Sequence, residues 1–388
     1  MGDLITRSIH TTREEAARAV ASAHPTLADF PALISPAALE FLEVMSVRSQ
    51  QLTRQRFGKV VRFFAPLYLS NECINNCKYC GFSRDNAILR VTLSMDEIEA
   101  EARELHSQGF RNILLVAGEH PKFISKDYLR DSVARIKSFV PGISLEIGPM
   151  EQAEYEPMVK AGAEGLVVYQ ETYDRTIYDV MHTAGPKKNF DWRLETPERA
   201  YDAGFRRIGI GALYGLSDWR LEAMSLAAHT QYLLRRCWKA QLTIALPRLR
   251  PNAGDFEPLT HLPDREMVQL LCAMRMIFPD IGIVLSTREP ARLRDGLIPL
   301  GVTHLSAGSH TEPGGYTGAG RSNVHHTEKG RIIALEEGTF MEPAVGRSTT
   351  ATGQFDIADE RTVGEVAGLV SRLGYEPVFK DWDAALTA

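Results

Sequence analysis

From Arg62 to Ser309, short apolar runs alternate with longer stretches in which apolar and polar residues mix at helical spacing. Short runs set between helical patterns are typical of parallel strands in βα units. The eight runs are Phe63–Ser70, Ile113–Gly118, Ser144–Met150, Leu166–Glu171, Arg207–Leu213, Thr243–Leu249, Ile281–Arg288 and His304–Ser309. Eight units over about 250 residues have the size of a closed barrel. The sequence therefore predicts an α/β protein with a (β/α)8 TIM-type barrel; an open doubly wound sheet is the competing fold.

The segments on either side of the eight units have other patterns. Residues 12–58 mix apolar and polar positions with many Ala, Leu and Arg, and Pro36 is well placed to begin a helix after Ser35. The segment Gly314–Gly353 is rich in Gly, Thr, Ser and His and has no sustained period, which predicts a long loop.

The C-terminal residues predict one more helix and strand. A helical pattern over Arg361–Leu373 ends at Gly374, and Tyr375–Phe379 follows as a strand. We therefore predict three parts, which are an N-terminal helical extension over residues 1–60, the barrel over 61–312, and a C-terminal loop and αβ extension over 313–388 packed on the barrel.

Composition narrows the class of protein. The 388 residues are 44% hydrophobic, enough for a large core, and their formal net charge is -5. Nucleic-acid binding normally needs a basic face, so no nucleic-acid partner is expected. No apolar run approaches the roughly 18 residues of a membrane span, and the N-terminus has no signal-peptide core. We expect a cytoplasmic protein.

Three of the five cysteines lie together in the loop after the first predicted strand. Cys73, Cys77 and Cys80 have the spacing C-x3-C-x2-C. Iron–sulfur clusters normally bind four thiolates, so three leave one iron open to a small molecule. A zinc site with His120 as fourth ligand is one alternative, and three unrelated buried cysteines are another. The other two cysteines lie alone in helical patterns and are predicted to be core residues.

The cysteine loop and many later motifs resemble a known family. The spacing, with aromatic Tyr79 before the last cysteine, is typical of the radical S-adenosylmethionine superfamily, and Pro66–Ser83 resembles 2-iminoacetate synthases, the tyrosine lyases of thiamine thiazole synthesis. Further matching motifs are Val116–His120, Tyr169–Tyr173, Trp192–Pro197, Gly209–Asp218, Pro247–Pro251, Leu285–Glu289, Pro313–Tyr316 and Lys380–Trp382. The resemblance covers the chain from about residue 60 onwards.

The resemblance implies a reaction, cofactors and partners. A [4Fe–4S] cluster splits S-adenosyl-L-methionine, and the adenosyl radical takes a hydrogen from the amino group of L-tyrosine. The Cα–Cβ bond then breaks to give 2-iminoacetate (dehydroglycine) and p-cresol, with 5′-deoxyadenosine and methionine. Thiazole synthase consumes the imine, and a flavodoxin-type protein is the expected electron donor. A lyase of another aromatic amino acid, such as tryptophan, and a non-catalytic iron–sulfur scaffold are the alternatives.

The resemblance also implies residue roles. Three cysteines bind the cluster, and six residues contact S-adenosylmethionine, namely Gly118, Glu119, Glu171, Arg193, Gly209 and Gly211. Glycine allows close approach of the backbone, and the planar donor fork of arginine suits a carboxylate. The structural alternatives are a strand-end turn for Gly118 and Glu119, surface ion pairs for Glu171 and Arg193, and tight barrel packing for the two glycines of Gly209–Gly211.

Substrate residues are implied at three strand ends. Arg288 binds the amino acid carboxylate, assisted by Tyr68 and Ser306; the alternative for Arg288 is a salt bridge with Glu289 or Asp295. Arg248 and Arg250, which share one face of the predicted sixth strand, are further candidates.

Two features of this chain differ from the families that it resembles. The tyrosine lyase of [FeFe]-hydrogenase maturation binds a second cluster through C-terminal cysteines, whereas no cysteine follows Cys272 here. The stretch Arg321–Thr352 is longer than the family pattern and is expected to be a lid, a docking surface for thiazole synthase, or an insertion.

Overall fold

A computed structural model describes residues 2–254, 256–333 and 351–380. The helices are α1 (Gly2–Ile9), α2 (Arg13–Ala21), α3 (Phe30–Leu33), α4 (Leu42–Phe57), α5 (Met95–Ser107), α6 (Lys126–Lys137), α7 (Gln152–Ala161), α8 (Arg175–Met181), α9 (Phe190–Leu194), α10 (Thr196–Ala203), α11 (Trp219–Arg236), α12 (Asp264–Ile277), α13 (Ala291–Gly301) and α14 (Val363–Arg372). The strands are β1 (Val60–Ser70), β2 (Asn76–Cys77), β3 (Ile88–Arg90), β4 (Asn112–Ala117), β5 (Gly142–Glu146), β6 (Gly165–Glu171), β7 (His182–Ala184), β8 (Arg207–Ala212), β9 (Gln241–Ala245), β10 (Gly282–Leu285), β11 (His304–Ser306), β12 (His325–Glu328), β13 (Arg331–Ile333) and β14 (Glu376–Val378).

Eight parallel strands close into a barrel. They follow the order β1, β4, β5, β6, β8, β9, β10, β11, and β11 pairs in parallel with β1, Phe63 opposite Leu305. This closure confirms the predicted barrel and excludes the open sheet. β14 adds to the beginning of β1, Val61 opposite Pro377, outside the ring.

The helices around the barrel follow the sequence signals closely. Helix α5 begins at a capping box in which Ser94 and Glu97 satisfy each other's backbone N–H groups. Its buried face carries Ile98, Ala102 and Leu105, spaced by one or two turns. Such amphipathic helices bury one stripe against the barrel, and their connections bring every barrel strand back in the same direction.

The flanking predictions were partly right. Residues 12–58 are mainly helical, α14 and β14 lie where the C-terminal helix and strand were predicted, and the Ser35 hydroxyl accepts from the Ala38 N–H where a short 3-10 turn begins. The loop prediction for Gly314–Gly353 is wrong at its centre, because β12 and β13 form a hairpin and β12 pairs with β3, Thr327 opposite Ile88. Residues 334–350 lie outside the described part.

Four strand predictions, those ending at Met150, Leu249, Arg288 and Ser309, ran three or four residues too far, and a proline accounts for the first two. The runs predicted to end at Met150 and Leu249 form strands only as far as Glu146 and Ala245. Pro149 and Pro247 lie just beyond those ends, and proline offers no N–H to a parallel ladder. The chain leaves each strand there to form the loops at the carboxyl end of the barrel.

Within the described residues, none of the helices has the length and apolar character that crossing a membrane requires.

A buried ion pair fixes the segment that leads into α14. Asp359, with a side chain 1% exposed, pairs with fully buried Arg294, which also donates to the Ser306 carbonyl. Removal of one partner of a buried pair typically costs about 3–5 kcal/mol. We therefore expect Asp359→Ala to lower the unfolding free energy by about that amount, measured by chemical denaturation.

Asp280→Ala provides the matched control, because Asp280 forms an exposed pair with Arg56. The control is expected to lose less than about 1 kcal/mol. Equal losses in the two variants would contradict a structural role for the Asp359 pair.

Candidate active site at the carboxyl end of the barrel

The cysteine loop follows β1 and is held from both ends by one arginine. The Arg90 guanidinium donates to the carbonyls of Asn71, Phe82 and Ser83, the last at 2.7 Å. Arg90 is itself 2% exposed. Satisfied buried donors of this kind rigidify a loop, so its shape is set before any ligand binds.

All three loop cysteines are free thiols, with Cys77 buried and Cys73 and Cys80 partly buried. Burial raises the pKa of the Cys77 and Cys80 thiols, and the nearby Lys187 ammonium opposes that rise. Metal ligation requires the thiolate, which a neighbouring cation favours. Three thiols on one ordered loop beside a cation are donors of the kind that an iron–sulfur cluster needs.

The zinc alternative finds no support in the geometry. In the described ranges, no three His, Cys, Asp or Glu side chains are grouped to hold a single metal ion. The proposed fourth ligand, His120, accepts through Nδ1 from the Lys122 N–H at 3.2 Å, within its own turn.

The end of β4 packs directly on the cysteine loop. A Cβ at Gly118 would lie 2.2 Å from the Glu72 carbonyl oxygen, so only glycine fits there. The Asn75 amide donates to Glu119 Oε2 at 2.7 Å, and the Ile74 N–H donates to the Glu119 carbonyl at 2.8 Å. Gly118 and Glu119 therefore lie beside the cysteine loop, as the prediction of a shared site requires.

Glu171 ends β6 in an unusual backbone conformation. Its φ is 71°, a left-handed value that is uncommon for residues other than glycine. Strain of this kind persists where surrounding contacts demand it, and often at functional sites. Here the contacts are Lys187 Nζ, 2.6 Å from Glu171 Oε1, and Arg193 Nη2, 3.4 Å from the same oxygen.

The Glu171 cluster is buried rather than a surface ion pair. The side chains of Glu171, Lys187 and Arg193 are 12%, 14% and 9% exposed. Burial raises the pKa of Glu171, but the two cations outweigh burial and lower it. Burial and Arg193 oppose the charge of Lys187, whereas Glu171 and the cysteines raise its pKa to about 12. Two cations on one carboxylate leave a net positive charge beside the cysteine loop, suited to an anionic ligand group.

Gly209 and Gly211 are fully explained by packing between strands. A Cβ at Gly209 would lie 2.9 Å from Val167 Cγ2, and one at Gly211 would lie 2.8 Å from the Tyr169 ring. Close packing in the barrel thus accounts for both glycines, and a contact with adenine stays a prediction.

A cavity inside the barrel joins the three predicted substrate residues. Tyr68, Arg288 and Ser306 all line it, although they come from the first, seventh and eighth barrel strands or the loops after them. The Tyr68 hydroxyl donates to Gln354 Oε1 at 2.8 Å, and Ser306 Oγ accepts from the Thr287 N–H at 3.2 Å.

The Arg288 guanidinium stacks on the Phe355 ring, with Cζ 3.4 Å from the centroid. Neither expected acid binds it, because Glu289 pairs with Arg248 and Asp295 pairs with Arg361 at 2.8 Å. Within the part of the chain that the structure describes, no hydrogen bond or ion pair involves this guanidinium. A cavity-lining arginine of this kind is a ready partner for a carboxylate.

Arg248 and Arg250 do not line the cavity. Arg248 also donates to Asp264 Oδ1 at 2.7 Å, and it is therefore engaged in two ion pairs. The expectation that one of them contacts substrate gains no support.

Sequence reasoning assigned no role to Glu146, Gln354 and Phe355, which line the cavity wall. Burial raises the pKa of the Glu146 carboxyl to about 7, against the influence of Arg288. A signal existed, because Glu146 is a lone acid at the end of an apolar strand run, on the catalytic edge of a barrel. Gln354 and Phe355 follow directly after the predicted loop Gly314–Gly353, and no local sequence pattern marks them.

Comparison with known proteins places these features in a family. Residues 67–227 match the model of the radical SAM superfamily, and residues 245–376 match the Biotin and Thiamin Synthesis associated domain. The 2-iminoacetate synthases of Salmonella typhimurium (strain LT2) and Escherichia coli (strain K12) are each 40% identical to the chain over 376 residues. Those alignments cover 97% of this chain and 92% of each relative.

Solved structures agree with the sequence relatives. HydG, a maturase of the [FeFe]-hydrogenase, superposes with a TM-score of 0.84 at 27% identity, covering 98% of this chain and 79% of that chain. HydG from Carboxydothermus hydrogenoformans gives 0.83 at 31% identity, covering 98% and 83%. The barrel, the cysteine loop and near full-length identity together show that the chain belongs to the 2-iminoacetate synthase family of the radical SAM superfamily.

Proposed function

We propose that the chain cleaves the Cα–Cβ bond of L-tyrosine to 2-iminoacetate and p-cresol, for thiamine thiazole synthesis. The family is named for 2-iminoacetate, which is an amino acid fragment. The observation that carries the substrate class is Arg288, whose guanidinium lines an aromatic-walled cavity without an ion pair among the described residues. An α-carboxylate would supply the missing partner.

Cys73, Cys77 and Cys80 are proposed to bind the [4Fe–4S] cluster of this enzyme class, which leaves one iron for S-adenosylmethionine. When bound, the two cofactors supply an adenosyl radical. The donor set fits because three free thiols share one loop, beside the buried Lys187 ammonium.

The residues around the cysteine loop are proposed to orient S-adenosylmethionine. Arg193 would bind its carboxylate and Glu171 its ribose hydroxyls, because the buried cluster holds both charges next to the loop. Gly118 and Glu119 would receive its amino group, since the end of β4 touches the cysteine loop. Gly209 and Gly211 are proposed to contact the adenine, and only the family resemblance supports this role.

In the substrate cavity, Arg288 would bind the tyrosine carboxylate through two N–H groups, with hydroxyls of Tyr68 and Ser306 beside it. The hydroxyl of Ser309 adds a further donor, because it is buried, lines the cavity and has no hydrogen bond to any described residue. The segment around Gln354 and Phe355 covers the cavity and would keep water from the reacting atoms.

Anaerobic product analysis tests this function. The reconstituted chain is incubated with S-adenosylmethionine and dithionite, and with either tyrosine or tryptophan. We expect p-cresol and 5′-deoxyadenosine in comparable amounts from tyrosine, detected by mass spectrometry. An indole product from tryptophan would instead identify tryptophan as the substrate. If no 5′-deoxyadenosine forms with either amino acid, the chain would be a non-catalytic iron–sulfur scaffold.

The partners and location remain proposals. Because the imine hydrolyses readily in water, we propose direct delivery to thiazole synthase, with a flavodoxin-type electron donor, in the cytoplasm. We also keep the division into parts 1–60, 61–312 and 313–388 as a proposal.

A further inference from the structure

A carboxylate and a guanidinium line the substrate cavity without forming an ion pair with each other. Glu146 ends β5 and Arg288 follows β10, and both side chains line the cavity wall. No hydrogen bond or ion pair joins either side chain to another group in the described ranges. Other acids close to Arg288 are paired, as Glu289 is with Arg248. The cavity thus presents one carboxylate and one guanidinium, neither of which has a hydrogen-bonding or ionic partner among the described residues.

Tyr68 and Tyr169 line the same cavity as Glu146 and Arg288. After burial, Glu146 exerts the largest influence on the pKa of both Tyr68 and Tyr169, raising it, and Arg288 follows, lowering it. The Glu146 carboxylate and the Arg288 guanidinium therefore share one cavity with the same two tyrosine rings. A ligand in that cavity would meet both charges.

An unpaired carboxylate in a barrel interior is costly, and its position here calls for a cationic or hydrogen-bond-donating partner. The neighbouring cations do not fill that need, because Lys187 and Arg193 are bound to Glu171. A free amino acid carries an ammonium one carbon away from its carboxylate. One carboxylate and one guanidinium in the same cavity match that zwitterionic head group.

We propose that Glu146 binds the substrate α-ammonium while Arg288 binds the α-carboxylate, and that Glu146 then accepts one ammonium proton. In this step one N–H bond breaks, an O–H bond forms on Glu146, and the electron pair stays on nitrogen. The resulting neutral amine is the group from which the proposed reaction takes its hydrogen atom. The inference rests on the proposed function, since it requires an α-amino acid substrate.

A set of ligands isolates the group that Glu146 contacts. Binding of L-tyrosine, L-phenylalanine and 3-(4-hydroxyphenyl)propanoate to the anaerobic holoenzyme is measured by equilibrium dialysis; phenylalanine lacks the hydroxyl and the propanoate lacks the amine. We expect Glu146→Gln to weaken tyrosine and phenylalanine about 10- to 100-fold, as for a lost charged hydrogen bond. The same variant should bind the propanoate as wild type does.

The other results have defined meanings. Equal weakening of the propanoate, or no weakening of tyrosine, would overturn the inference; an effect confined to the ligands that carry a hydroxyl would assign Glu146 to the phenol. If wild type does not bind tyrosine, the proposed function fails instead.

Two further variants serve as controls for the binding measurements. Glu376→Gln, at an exposed position on β14 outside the barrel, should bind all three ligands as wild type does. Glu146→Asp keeps the charge and should retain the preference for ligands with an amine. Loss of that preference in Glu146→Asp, while S-adenosylmethionine still binds, would count against the inference.

Discussion

The Cys77→Ala protein, reconstituted with iron and sulfide without oxygen, is expected to lack the absorption of a [4Fe–4S] cluster and to form no 5′-deoxyadenosine. Cys77 is the most buried cysteine of the loop, at 4% exposure, and β2 anchors it by pairing with β7. Two thiolates on a cluster that prefers four ligands leave it exposed to loss. Iron content, absorption and 5′-deoxyadenosine yield are the measurements.

Cys237→Ala is the control for this variant. Cys237 is also buried, at 1% exposure, but it ends α11 in the hydrophobic core. The Cys237→Ala protein should therefore retain the cluster and form as much 5′-deoxyadenosine as wild type. A Cys77→Ala protein that retains both would remove Cys77 from the ligand set.

Arg288→Gln is expected to assemble the cluster normally and to lose at least about 30-fold in kcat/KM for tyrosine. Truncation of one partner of a buried charge pair costs about 2–5 kcal/mol, and 1.4 kcal/mol corresponds to tenfold. Steady-state p-cresol formation measures the loss, and 5′-deoxyadenosine formed without tyrosine reports the intact cofactor site.

Arg292→Gln, four positions further along the chain on the exposed side of α13, is the matched control and should match wild type. Undiminished tyrosine cleavage by Arg288→Gln would show that the α-carboxylate binds elsewhere, and the substrate site would then have to be sought away from β10.

The parts of the fold that repeat were predictable from the sequence. Each βα unit carries a short apolar run and an amphipathic stretch, so eight units predict eight strands and a ring. The cysteine loop was predictable for a chemical reason, because three ligands at a fixed spacing are a local pattern. The role of Arg288 was implied by the family resemblance, and its position after a barrel strand agrees with the rule that barrel catalytic residues follow strand ends.

Contacts made only by tertiary packing were out of reach. Lys187 sits 16 residues after Glu171, in the connection beyond β7, and nothing near it marks a site. Glu146 carried a signal, but a single acid at a strand end is ambiguous until the cavity shows that it has no partner among the described residues. Phe355 reaches Arg288 across the barrel mouth from 67 positions later, a distance that no periodicity encodes.

The hairpin β12–β13 was not predicted from the sequence, for a related reason. The strand His325–Glu328 is polar throughout, and Arg331–Ile333 has only three residues, too few to show a period. The hairpin is held in place by β3, which lies just after the cysteine loop and pairs with β12. Arg90 adds a hydrogen bond from its Nε to Thr327 Oγ1 at 2.7 Å. A strand stabilised by such distant partners has no sequence period of its own.

An iron atom left open by the cysteine loop is the central claim, and electron paramagnetic resonance tests it most directly. The dithionite-reduced cluster is examined with S-adenosylmethionine labelled with 15N at its amino group. We predict a changed signal with hyperfine coupling to the label, as direct binding of the amino group to iron requires. A signal that is unchanged by the labelled cofactor and shows no coupling to 15N would contradict the account, because it would mean that every iron already has a protein ligand.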